Sequence, residues 1–158
     1  MTDPMPTTQT EQLLEAILAR LQNEFGQQLS IELFPENPVQ YRLNHPHGAV
    51  LLAYVKSTFG PTQSTDMTFQ ARSLVLRLTL IFRQLNGKDG VVSHLDRLRD
   101  CLCGWYPPNA DQACHPIAEQ YIGYVNGVWQ YAQDYATRAT QVQSAPALLT
   151  RANLKVPI

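Results

Sequence analysis

Hydrophobic positions change their period along the chain, and each change marks an element. Leu13, Leu14, Ile17, Leu18, Leu21 and Phe25 recur at helical spacing, with Glu15, Arg20, Gln22 and Glu24 on the other face. Thr8 followed by Glu11 fits a capping box, in which each side chain satisfies a free main-chain N–H of the other residue. A helix is expected from there to Gly26, which can end it as the left-handed residue after the cap. From Leu29 the period is two. Leu29, Ile31 and Leu33 alternate with Ser30 and Glu32, as a strand with one wet face would, until Pro35 and Pro38 stop it. Val39, Tyr41 and Leu43 alternate with Gln40 and Arg42 and predict a second short strand; residues 49–57 predict a third.

The most strand-like segment follows a polar loop. Leu74, Leu76, Leu78, Leu80 and Phe82 line one face and Ser73, Val75, Arg77, Thr79, Ile81 and Arg83 the other. Its length, about 12 residues, exceeds the usual five or six. Asn86-Gly87-Lys88-Asp89-Gly90 is turn chemistry before a second helix with Val91, Leu95, Leu98 and Leu102 as its buried stripe, closed by Gly104 and Pro107-Pro108. Asn126-Gly127 predicts a hairpin joining residues 120–125 to 128–136, with Trp129, Tyr131, Gln133 and Tyr135 on one face. The rival, a helix over 128–140, has only its alanines in favour. The fold class expected is α+β, a largely antiparallel sheet with two helices packed on one face. One domain is expected over residues 1–140, with 1–7 loose and 141–158 a weakly patterned extension, either flexible or ordered on a partner.

Length changes little in this picture: 158 residues can bury about 70% of their unfolded surface, so neither disulfides nor structural metals are required. Charge changes more. Only 16% of residues are charged, below the roughly 25% usual for soluble domains, which leaves neutral polar surface suited to subunit contacts. A net charge of -1 supplies no field for gripping a phosphate backbone, so specific nucleic-acid binding is not expected. Three cysteines, with no basic start and apolar stretch ahead of them, argue against a disulfide framework and for a reducing compartment. No apolar run approaches the roughly 18 residues of a membrane span.

Residues that carry chemistry are present, but their spacing does not assemble them. Cys101, Cys103, Cys114 and His115 are soft metal ligands, yet helix positions two apart diverge by about 200°, so Cys101 and Cys103 point to opposite edges of the apolar stripe. Small buried thiols are the plainer reading. Ser93, His94 and Asp96 are the types of a hydrolytic triad, but Ser93 and His94 diverge by about 100°. A solvated helix face, continued through Arg97, Arg99 and Asp100, accounts for them. His45 and His47 straddle a proline without a third ligand, and Gly87-x-x-Gly90 is too short to cradle phosphate. Tyr121, Tyr124, Trp129, Tyr131 and Tyr135 resemble a base-stacking platform, but Lys and Arg are absent from residues 120–137. No catalytic set, cofactor site or metal site is therefore expected. What stands out is the mixed strand face, with Arg77, Thr79, Ile81 and Arg83, and the aromatic hairpin, with Trp129, Tyr131 and Tyr135: these are the candidate subunit-interface residues.

Taken together, FPENP, YRLNHPHGAVLLAYVKSTFG, QARSLVLRLTLIFRQLNGKDG, HLDRLRDCLCGWYPP and VWQYA resemble a family of Mu-like bacteriophage and prophage proteins known by the number thirty-seven among phage gene products. The element order is also similar to that of tail terminator proteins of long-tailed phages. This resemblance implies a structural, non-enzymatic protein that forms a homo-oligomeric ring, usually sixfold and monomeric before assembly. It implies the tail tube protein and the head-tail connector as partners, and a path from the bacterial host cytoplasm into the virion tail. A head-tail joining or neck protein is the nearest alternative, and a small thiol or metal enzyme a distant one.

Overall fold

Thr8 starts the first helix as its spacing predicts. In the computed structural model, which describes residues 7–63 and 66–143, helix α1 spans Gln9–Phe25. Glu11 N–H donates to Thr8 Oγ1, and Thr8 N–H donates to Glu11 Oε1, both at 3.3 Å. The helix buries Leu13, Ile17, Leu21 and Phe25. Gly26 corrects one expectation: its φ of -60° and ψ of -21° are right-handed. The chain leaves the helix instead through Gln28 and Leu29, whose N–H groups both reach Phe25 O at 2.9 Å, so no left-handed residue is needed. The loose start expected at 1–7 lies, Thr7 apart, outside the described residues, as does the expected C-terminal extension beyond residue 143; Gln141 and Val142, expected to begin that extension, are instead the end of the last strand, paired with Gln70 and Phe69.

Strand β1 (Ser30–Leu33) pairs in parallel with β2 (Gly48–Phe59). The second short strand expected at Val39, Tyr41 and Leu43 is not formed. Pro38 has no N–H to give a ladder, and the chain closes a 3₁₀ turn over Pro38–Gln40, with Gln40 and Tyr41 donating to Asn37 O and Pro38 O at 3.2 Å. The apparent alternation is one of packing: Tyr41 and Leu43 lean on Ala49, Leu51 and Ile81, while Val39 faces outward.

The remaining elements follow in chain order: β3 (Phe69–Phe82), α2 (Val91–Leu102), β4 (His115–Val125) and β5 (Val128–Val142). The sheet runs β1-β2-β3-β5-β4, antiparallel apart from the β1 and β2 pair, so the chain is α+β. At 14 residues β3 is longer than expected and lies at the centre. Its buried residues Leu74, Leu76, Leu78, Leu80 and Phe82 form the floor on which α1 and α2 pack. The two helices are tied by Arg20, whose Nε donates to Cys101 O at 2.9 Å and whose guanidinium lies 4.9 Å from the Trp105 ring centroid. Asn126 and Gly127, with φ of 54° and 79°, make the tight turn of the predicted hairpin. Pairing of Leu76 with Tyr135, Leu78 with Gln133, Leu80 with Tyr131 and Phe82 with Trp129 puts these β5 side chains on the helix-covered face.

A further correction concerns α2. His94 is 2% exposed, not on a solvated face. It falls three residues after buried Val91 and four before buried Leu98, so it belongs to the inward stripe. Its ring lies 4.8 Å from that of Phe82, and Nδ1 pairs with Gly90 O at 2.8 Å.

Candidate interaction surface

Both helices lie on one side of the sheet, so the alternating residues of the long strands meet no second layer on the other. Leu51, Ala53 and Val55 of β2, Arg77, Thr79 and Ile81 of β3, and Val128, Gln130 and Ala132 of β5 line this face. Phe34, Pro35, Pro38, Val39, Tyr41 and Leu43 rise along one side, and Ile122, Val125 and Asn126 of the hairpin along the other. Together they enclose a groove of about 750 Å³.

Three arginines set the groove's electrostatics. Arg77 and Asp134 are cross-strand neighbours and form a bidentate pair, Nε to Oδ1 at 2.8 Å and Nη2 to Oδ2 at 3.1 Å. The hydrogen bonds to Asp134 raise the proton affinity of Arg77. Arg83 donates to His45 O at 3.0 Å and Leu43 O at 3.2 Å, and Arg42 to Tyr41 O at 2.9 Å and Val39 O at 3.2 Å. Both brace the irregular segment over the groove against main-chain carbonyls. On the same side, Tyr41 has its phenol pKa pushed up by burial and then by hydrogen-bonded Glu32.

The candidate interface residues divide between two faces. Arg77 and Thr79 lie on the groove floor and Arg83 at its rim. Ile81 also points this way but is 8% exposed, because Tyr41 and Leu43 cover it. Trp129 and Tyr131 are half-buried on the opposite, helix-bearing side, packed on the edge of the core. Tyr135 is not a surface residue at all: it is 1% exposed, and its hydroxyl donates to Gln133 Oε1 at 2.7 Å. Gln133 in turn donates to Leu95 O at 2.9 Å and to Glu119, which Arg99 also holds. Tyr135 is thus part of the bond between sheet and α2, and burial raises its pKa.

The exposed aromatic surface belongs to β4 instead. Tyr121 and Tyr124 are 52% and 54% exposed, with ring centroids 5.5 Å from Tyr131 and 4.4 Å from Trp129 respectively. Their exposure was hidden in sequence because it depends on β4 being an edge strand. The Asn126-Gly127 signal does place Tyr124 opposite Trp129, but Tyr121 meets Tyr131 only because the register shifts between Tyr121 and Gly123, which the turn does not specify. Arg42, Asp134 and Val55 were also missed, since their meeting at the groove needs the register and the course of the 34–47 segment.

The other chemistry-bearing groups stay apart. Cys101 and Cys114 are buried and Cys103 is exposed. Burial, with Glu24 adding at Cys101, pushes both buried thiols up to about 12. His94 bonds to Gly90 O rather than to Ser93. His45 and His47 sit 6.0 Å apart, with His47 N–H donating to His45 Nδ1. Among the described residues, no three His, Cys, Asp or Glu side chains are grouped to hold a metal, and no buried side-chain polar atom lacks a partner. No helix among them is long and apolar enough to cross a membrane.

A family model described as Gp37 protein matches residues 17–154. No curated protein matches the chain.

Proposed function

The chain belongs to the Gp37 family of Mu-like phage proteins, and from that premise we propose that it is a tail terminator, a structural protein whose subunits form a ring that caps the tail tube and joins it to the head. A sixfold ring, assembled in the bacterial host cytoplasm and carried into the virion tail, suits this reading. The tail tube protein and the head-tail connector are its partners. The observation that carries the proposal is the presence of two unlike, uncovered surfaces on opposite faces of one sheet: the arginine-bearing groove and the β4 aromatics. A ring needs a heterologous contact, in which one surface of each subunit meets a different surface of the next and the rotation closes. An isologous dimer needs only one such surface. The near-neutral charge also suits a bore through which DNA passes without being held.

The proposal is tested by adding the purified protein to polymerising tail tubes from the same phage and measuring tube lengths by electron microscopy. Tubes of limited length are expected. Unbounded lengths, together with binding to isolated portal complexes, would favour a head-tail joining role instead.

A further inference from the structure

We infer that the groove on the open sheet face of one subunit docks the aromatic, acidic patch beside α2 and β4 on the next copy of this chain. The inference rests on the ring reading above and names its contact.

The two surfaces complement one another in chemistry. Arg42, Arg77 and Arg83 line the groove, and Asp134, cross-strand from Arg77, holds that one guanidinium. Arg42 and Arg83 are bonded to main-chain carbonyls, so each brings an undiminished charge to the surface. Between the arginines lies an apolar floor.

On the helix-bearing side the balance is reversed. Asp96, Asp100 and Glu119 outnumber Arg97 and Arg99, and Arg99 is shared between Asp96 and Glu119. Tyr121, Tyr124 and Val92 supply exposed apolar area there. Tyrosine is a common interface anchor because it buries a large ring and keeps a polar tip.

Pairing like with like is disfavoured. Groove against groove would set the arginines of one copy against those of the other, and patch against patch would oppose Asp96, Asp100 and Glu119 in the same way. Groove against patch leaves the pair with one free groove on one subunit and one free patch on the other, which is the condition for a chain of contacts that closes on itself.

The test uses the full chain with the exposed Cys103 replaced by serine, Thr79→Cys on the groove floor and Tyr124→Cys on the patch, treated with a short bismaleimide at high protein concentration, both alone and with tail tubes from the same phage present. The expected result is a ladder of crosslinked oligomers that weakens as salt is raised, with no ladder from either single-cysteine variant. If Tyr124→Cys does not fold, as read by circular dichroism, Tyr121→Cys takes its place. Absence of a ladder from the paired variant overturns the inference, as does a dimer formed by Thr79→Cys alone. The two readings fail separately. A ladder from protein that does not limit tube length keeps this contact and removes the terminator. Limited tubes without a ladder keep the terminator and place its ring contact elsewhere.

Discussion

At the scale of single residues, position on the central strand decides what a substitution costs. Leu78 points into the floor under the helices, and Leu78→Ala removes packed volume that the rigid strand cannot refill, so unfolding in denaturant should show a loss of about 2 to 5 kcal/mol. Arg77, one residue earlier, faces the groove and pairs with Asp134 while its side chain stays substantially exposed. Arg77→Ala should cost about 1 kcal/mol or less. Equal costs would mean that the two faces are misassigned. The thiols divide similarly: Cys103 should react with a maleimide in the native protein, while Cys101 and Cys114, buried and held protonated, react only after unfolding. A thiol count before and after denaturation checks this. His94 should make stability depend on pH, because burial holds its pKa below the ordinary value of about 6.5. The unfolded chain then binds a proton that the folded chain resists, so stability is full above that value and falls as pH drops through it toward the lower folded pKa. Denaturant curves between pH 7 and pH 5 should show this decline, and His94→Gln should flatten it.

At the scale of elements, the parts legible in sequence were those whose local chemistry and burial pattern agree. The Thr8 and Glu11 box, the leucines of β3 and the Asn126-Gly127 turn each specify their element without outside help. The turn can be tested alone. Gly127 has φ of 79° and open space where a Cβ would stand, so Gly127→Ala should cost about 1 to 2 kcal/mol through backbone strain, measured by denaturation. Gly123 has no such φ and only an ordinary contact with Val125, so Gly123→Ala should stay within about 0.5 kcal/mol. What sequence hid depended on distant partners. Val39, Tyr41 and Leu43 alternate like a strand, but no neighbouring strand accepts them, and Pro38 turns them into a wall of the groove. His94 looked solvated because its neighbours Asp96 and Arg97 are polar; its inward direction follows from helical spacing alone, a signal that was available. The parallel pairing of β1 with β2 depends on where the intervening segment returns, which local pattern does not carry.

At the scale of the whole molecule, half of the candidate site was legible. Alternation along β3 placed Arg77 and Thr79 on the face opposite the helices, but the groove exists only because the 34–47 segment and the hairpin end wall it in. The aromatic hairpin was recognised as a cluster, yet its outward residues are Tyr121 and Tyr124 on the edge strand; Tyr135 was drawn into the core by Gln133 and α2. The groove on one side and this patch on the other are the two unlike surfaces that the proposed ring contact requires. The most direct measurement is electron microscopy of tail tubes mixed with protein labelled at Cys103, averaged over tube ends. A closed ring of labelled subunits at the head-proximal end alone is expected. Label spread along the tubes, at both ends, or absent from them would contradict the proposal that this protein ends the tail.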